Sequence, residues 1–389
     1  MMKMLASLMS VVLLAACGGN TTAPTTRGVT DTEVVLGSHT DLSGPAAIWG
    51  VGVTNGARMR FARANAAGGI HGRQIRFIVE DTSYQLLRAI DASKKLMDRD
   101  EIFAMLLGVG TPMNNSIMPT LFERGIPNLF PVSGGRQMVE PFQRMKFSQH
   151  GIYYDEVRAA VKYFVEERGR GTVCVIHVDN DYGVEILQGA EDQTKEMGLE
   201  IAAVSAHKPT ETEFTAAILR LKSANCDVVL MGTIQRDTIL ILDAAHKMGW
   251  DGVDWVGNNA AYAQVIAEQA SGEGYYCFVH MAKIYDDDEM SAEVRAWWDG
   301  YIEEYGSEPG LAAMEGYRGA DLTIEALQRA GGDLTTDSLL TAMESIDNYQ
   351  DLFGYRISFG PDQHSGATES VLSQVQNGRW VQLEHAIGY

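Results

Sequence analysis

The amino-acid sequence predicts an α/β protein made of two doubly wound lobes, each a parallel sheet covered by helices on both faces. Three observations carry this prediction. Short apolar runs alternate with amphipathic stretches, the pattern of parallel strands joined by helical crossovers. The runs are apolar throughout rather than at every second residue, as strands covered on both faces require. The alternation also runs once from Val34 to Val132 and then restarts at Tyr153. A chain of 389 residues is too long for one ordinary domain and comfortable for two.

In the first array, Val34 to Gly37 reads as a strand. Val53, Ala57, Phe61 and Ala64 then form a helical stripe. Ala66-Ala67-Gly68-Gly69 ends that helix, with glycine where a left-handed residue is needed. Ile75 to Glu80 is a strand, Tyr84 to Asp98 a helix and Ile102 to Leu107 a strand. After Gly110 a helix is expected, with Thr111 as its cap and Pro112 in its first turn. Ile126 to Val132 is the last strand of this array.

The second array repeats the pattern. Helices are expected over Tyr153 to Glu167, Tyr182 to Met197, Glu213 to Ser223 and Arg236 to Lys247. Strands are expected over Thr172 to Val178, Ile201 to Ala206, Asp227 to Met231 and Asp254 to Val256. The tail returns to helix at Glu293 to Tyr305 and Ala312 to Ala330. It then forms a strand pair near Tyr355 to Phe359 and Ser370 to Gln376. In open α/β sheets ligands bind outside the carboxyl ends of the strands, so two such sheets facing each other would enclose a cleft.

The amino terminus carries a different signal. Lys3, the apolar stretch Met4 to Leu14, and then Ala15, Ala16 and Cys17 describe a secretory signal peptide. That stretch is too short for a permanent membrane span. Leu14-Ala15-Ala16-Cys17-Gly18 resembles the lipobox of bacterial lipoproteins. The resemblance implies cleavage before Cys17 and lipidation of its sulfur, anchoring the protein to a membrane in the periplasm or at the cell surface. Residues 1–16 are then the signal peptide. Residues 17–32 are the lipidated cysteine and a flexible tether rich in Gly, Asn, Thr and Pro.

Composition excludes several classes. The net charge is −20, which repels nucleic-acid phosphates, so no nucleic-acid partner is expected. Cys174, Cys226 and Cys277 lie in apolar runs without a CxxC pair. They are expected as buried thiols, although an oxidising compartment also permits a disulfide that sequence cannot assign. Gly50, Gly52 and Gly56 nearly make a dinucleotide-binding loop, but the last glycine is one residue late and no strand immediately precedes them. The nine histidines form no HExxH pair, and no GxxxxGK[ST] or GxSxG is present. No catalytic residue, cofactor or metal is therefore expected, and the protein is read as a non-enzyme.

Asp41-Leu42-Ser43-Gly44-Pro45, Trp49-Gly50, Asn55-Gly56-Ala57, Asn65 to Gly72 and Glu80-Asp81 stand in the first array. Asp181-Tyr182-Gly183, with Phe214 and Leu221 further on, stands in the second. Together these resemble the periplasmic binding proteins of the leucine/isoleucine/valine type, which serve ABC importers. The resemblance spans residues 33 to 385. It implies two lobes joined by three crossings of the chain, near Phe147 to Gln149, Cys277 to His280 and Arg356 to Phe359. The N-terminal lobe would comprise 33–148 plus 279–356, and the C-terminal lobe 149–278 plus 357–389. Hinge closure on a small-molecule ligand, recognition by an ABC permease and a monomeric state follow as expectations. The alternative is a lipoprotein of the same fold that regulates or senses an envelope partner.

The resemblance also proposes ligand contacts. In the first lobe they fall on Trp49, on Gly110 and Thr111, and on Ser133 and Gly134. Strand-to-helix loops there expose unpaired N–H donors suited to a carboxylate. Thr111 also reads simply as a helix cap, and Trp49 as a core aromatic. In the second lobe Tyr182, Thr233, Gln235 and Arg236 are the candidates. Arg236 reads either as a bidentate carboxylate partner or as a solvated helix-start arginine. The loop Gly257-Asn258-Asn259-Ala260 contributes Asn259 but lacks the acid that amino-acid binders of this family place opposite the ammonium. A ligand without an amine, such as a small or aromatic carboxylate or an amide, is thus as open as an amino acid. Glu185 or Asp179 could supply the missing charge.

Overall fold

The computed structural model describes residues 26–367 and 369–388. The signal peptide, Cys17 and most of the tether lie outside the described residues. The first sheet contains β1 (Glu33–Thr40), β2 (Gln74–Asp81), β3 (Ala104–Leu106), β4 (Asn128–Leu129) and β5 (Lys146–Phe147), in the order β2-β1-β3-β4-β5 with every pairing parallel. Its crossovers are α1 (Ala47–Ala66), α2 (Leu86–Asp98) and α3 (Thr111–Glu123).

The second sheet contains β6 (Val173–Val178), β7 (Ala203–His207), β8 (Val228–Gly232), β9 (Asp254–Asn258) and β10 (Tyr276–Val279). Their order, β10-β9-β8-β6-β7, is all parallel and repeats that of the first sheet. Helices α4 (Tyr153–Glu166), α5 (Asp181–Glu196), α6 (Thr215–Ser223), α7 (Gln235–Lys247) and the short α8 (Gln264–Ala267) accompany it. Three further helices follow: α9 (Ala292–Tyr305), α10 (Leu311–Ala330) and α11 (Thr336–Glu344). The last of these was not foreseen; a reciprocal capping box between Thr335 and Ser338 starts it.

Burial explains the apolar strands. On β1, Val34 and Leu36 join the core that includes Val53, Ala57 and Phe61 of α1, while Val35 joins the core with Ala89 of α2 and Ile117 of α3. On β6, Cys174 and Ile176 face Ile218 and Ile241, while Val173 and Val175 face Val157 and Ile186. Neighbouring side chains on β1 and β6 therefore enter different cores and leave no polar face, whereas the edge strands β2 and β7 keep exposed positions.

The expected strand pair in the tail is corrected. The strands β11 (Tyr349–Gln350) and β12 (Arg356–Ile357) make a small antiparallel ribbon of their own. Strand β13 (Glu369–Gln376) instead lies antiparallel between β10 and a strand not anticipated, β14 (Arg379–Gly388). The chain passes between the two large sheets after β5, after β10 and between β12 and β13. This third passage falls later than Arg356 to Phe359, because Phe359 still packs on Phe130 and Phe147 beside the first sheet.

The expectation of three buried thiols is corrected as well. Cys174 on β6 and Cys226 just before β8 form a disulfide across neighbouring strands, and Cys277 is free and buried. The near-miss glycine run has a packing explanation. A Cβ on Gly56 would stand 2.0 Å from the Ala313 carbonyl of α10, and one on Gly316 would stand 2.1 Å from that of Val53. These glycines let α1 and α10 cross with their backbones nearly touching.

Candidate functional site

In both sheets the strand order reverses at the first strand of the array, between β1 and β3 and between β6 and β8. Ligands bind outside the carboxyl ends of the strands at such a point. There the two lobes close on each other around a small cavity. Its first-lobe wall is Ala46 and Trp49 from the start of α1, Tyr84 before α2, Val109, Gly110 and Thr111 before and within α3, and Val132. Tyr182, Ile234, Asn259 and Ala260 line it from the second lobe, and His150 and Tyr153 from the first passage between sheets.

Four aromatic rings thus face the space, and no Asp, Glu, Lys or Arg is among the described residues that line it. Tyr153 and Tyr182 meet edge to face at 5.0 Å. The Tyr182 hydroxyl lies 3.2 Å from the Thr233 carbonyl and 3.1 Å from Asn258 Oδ1. It is spent within its own lobe, so Tyr182 offers the cavity a flat ring rather than a donor.

Five of the expected contacts line the cavity: Trp49, Gly110, Thr111, Tyr182 and Asn259. Thr111 is not a cap. Gly110 holds that position with φ 101°, and Thr111 is the first helical residue, its hydroxyl 2.8 Å from that of Ser133. The first-turn N–H groups of α3 have no intrahelical partner, which suits the helix start at Thr111 to an anion.

The other five are placed elsewhere. Ser133 stands behind Thr111 and accepts from the Gly135 N–H. Gly134 packs against the chain itself, since a Cβ there would meet the Gly151 carbonyl at 2.3 Å. Thr233 bonds Thr238 at 2.7 Å. Gln235 reaches across to the Pro45 carbonyl at 2.7 Å and ties the lobes together. Arg236 lies outside the cavity wall: its guanidinium, partly exposed, pairs with Asp237 at 2.5 Å and donates to the Pro209 carbonyl.

Glu185 also serves the closure. Its carboxylate accepts the Arg136 N–H at 2.9 Å across the cleft rather than facing the cavity. Burial pushes its pKa up to about 7. Trp49 donates to the Ala260 carbonyl at 3.1 Å, and Asn115 to Asp181 at 2.7 Å. Trp49 also walls a second space, lined by Ile48, Val51, Tyr262, Lys283 and Leu311.

Sequence reasoning missed Tyr84, His150 and Tyr153. Each sits where a strand hands over to a helix or to a passage, and only the register of the opposing lobe turns it inward. It also missed Glu315 of α10, a fully buried carboxyl whose Oε1 accepts from Asn259 at 3.1 Å. Burial raises its pKa to about 8.

The comparisons agree with this architecture. The Leu/Ile/Val-binding protein homolog 7 of Brucella suis biovar 1 (strain 1330) is 23% identical over 372 residues, covering 90% of each chain. A fatty acid ABC transporter substrate-binding protein from Thermomonospora curvata superposes with a TM-score of 0.84 at 21% identity, over 94% of each chain. A solute binding protein of an ABC transporter from R. palustris, in complex with benzoate, gives a TM-score of 0.80 at 19% identity, over 92% of this chain and 98% of that one. Residues 33–379 match the family described as Periplasmic binding protein, and the chain belongs to that family.

Proposed function

We propose that this protein is the extracytoplasmic solute-binding lipoprotein of an ABC importer. In this reading it captures a small carboxylate without a free ammonium, aromatic or otherwise apolar in its body, and hands it to a permease. The N-terminal lobe is 33–148 with 279 to the third passage, which lies between β12 and β13, the C-terminal lobe is 149–278 with the rest of the tail, and Cys17 carries the lipid.

The observation that carries the ligand class is the wall of the cavity: four aromatic rings, a helix start at Thr111, and no charged side chain among the described residues. A carboxylate gains from the helix N-terminus and the Thr111 hydroxyl. An ammonium would be desolvated there without a counter-charge. One solved relative is in complex with benzoate and another is named for fatty acid transport, which favours the reading.

The test is a thermal-shift screen of the chain from Gly18 onward against aromatic and aliphatic carboxylates, amides and amino acids. A ligand at a hundredfold excess over its Kd stabilises by about 2.7 kcal/mol, enough to raise the melting temperature visibly. Hits confined to amine-free carboxylates are the expected result. A hit confined to amino acids would overturn the ligand class, and silence across the whole panel would overturn solute capture as proposed.

A further inference from the structure

Beneath the cavity, three side chains that stand far apart in sequence converge. His150 comes from the first passage between sheets, His280 from the second, and Glu315 from the start of α10. All three side chains are at most 1% exposed. His150 Nε2 lies 3.3 Å from Glu315 Oε2, and His280 Nε2 lies 3.4 Å from Glu315 Oε1. Ligand atoms from the three residues all fall within 4.8 Å of one another.

We propose that His150, His280 and Glu315 bind a divalent transition-metal ion, zinc by preference, at the hinge between the lobes. Two imidazoles and a carboxylate are a common three-ligand set for zinc. With arms of about 2.0–2.1 Å, the edge of a tetrahedral site is about 3.3–3.4 Å; each imidazole stands at that distance from one oxygen of Glu315, and the ligand atoms within 4.8 Å of one another need to draw in only slightly around an ion.

The hydrogen bonding gives independent support. Among the described residues, His150 Nε2, both ring nitrogens of His280 and Glu315 Oε2 are buried without a hydrogen-bond partner. Orphaned polar atoms in one place are costly, and a metal ion would take one nitrogen from each imidazole together with Glu315 Oε2. Burial holds both imidazoles in the neutral form, which keeps a lone pair for coordination.

Arg318 stands nearby, but its guanidinium donates to Gln149 and faces Asp351 at 3.8 Å. Two carboxylates therefore stand against one fixed cation, leaving a negative charge for the metal once Glu315 has lost its proton. Short sequence motifs cannot show such a site, because the passages and α10 bring its ligands together only in the folded chain. His150 and Asn259 also line the cavity, so an ion held here would stand against its wall. A water or a ligand oxygen would complete the coordination there, and this last step rests on the cavity being the solute site.

The experiment strips the purified protein with chelator and titrates it with Zn²⁺ by calorimetry and with Co²⁺ by visible absorption. One ion per chain and the intense visible bands of tetrahedral Co²⁺ are expected. Glu315→Gln and His280→Gln, each confirmed as folded by circular dichroism, should weaken Zn²⁺ binding at least 100-fold. Absence of a stoichiometric ion, or equal affinity in both variants, overturns the site. If a variant does not fold, the Co²⁺ spectrum of the unmutated protein decides: without tetrahedral bands the hinge is merely hydrated. Screening the metal-free protein against the carboxylates separates the two readings. A carboxylate hit without any zinc binding rejects the metal site alone, and zinc binding without a hit rejects the ligand class alone.

Discussion

At the scale of single residues, Tyr182 and Glu185 show how burial redirects a side chain. Tyr182 is 2% exposed and belongs to the core of the second lobe. Tyr182→Ala would therefore remove a core ring as well as a cavity wall, costing about 3–5 kcal/mol by analogy with other buried aromatics. Tyr182→Phe is the cleaner probe. It should lower stability by about 1 kcal/mol through the lost hydroxyl bonds while leaving ligand affinity within a few-fold, read by denaturant melts and calorimetry. A large affinity loss in the Phe variant would show that the hydroxyl touches the ligand.

Glu185 makes a pH prediction. Its carboxyl ordinarily titrates at 4.5 and here at about 7, with burial as the largest cause. Between those values the folded protein holds a proton that the unfolded chain has released. Its contribution to stability therefore falls as pH rises from about 4.5 to about 7, by roughly 3 kcal/mol at most. Urea midpoints of Glu185→Gln should gain on the parent across that window. Parallel curves would mean that another group is responsible.

At the scale of elements, the close crossing of α1 and α10 carries the first lobe. Gly56→Ala would drive a Cβ onto the Ala313 carbonyl, and the resulting overpacking should cost about 1–3 kcal/mol. Guanidinium melts with an unchanged m-value would register the loss as a shifted midpoint, whereas an unshifted midpoint would mean the helices part freely. These elements were legible in sequence to differing degrees. The helices of both arrays and the apolar strands follow from periodicity, because the central strands bury both faces. Strand β14 and helix α11 were missed. The first borders the β13 hairpin with mixed polar residues, and the second is only nine residues long. Thr111 was misassigned to the cap because Gly110, with its positive φ, takes that place without a side-chain hydrogen bond.

At the scale of the whole molecule, closure and covalent stapling matter most. Cys174 and Cys226 enclose a loop spanning 52 positions, for which chain entropy gives about 4 kcal/mol of stabilisation. Thermal melts with and without reductant should differ accordingly, and Cys174→Ala with Cys226→Ala should abolish the difference. No effect of reductant on the intact protein would mean the thiols are not joined in solution. Such a disulfide suits an exported protein. The lobes meet through Trp49 to Ala260, Gln235 to Pro45, Asn115 to Asp181 and Arg136 to Glu185. These polar contacts bridge the lobes around the cavity, and breaking them is what opening would require.

The sequence by itself determined the two-array α/β plan and the family, since both rest on local periodicity and contiguous motifs. It also located five of the thirteen residues that line the cavity, because Gly110, Thr111 and Tyr182 sit at strand ends that any such sheet turns toward a ligand. Tertiary structure alone decided the rest. Arg236 was withdrawn by Asp237, its neighbour in sequence, only because the Pro209 loop folds over it. Tyr84, His150 and Tyr153 became cavity residues, and Glu315 the acid behind Asn259, only when the passages set one sheet against the other. Contacts between distant segments depend on that packing and leave no period in the chain.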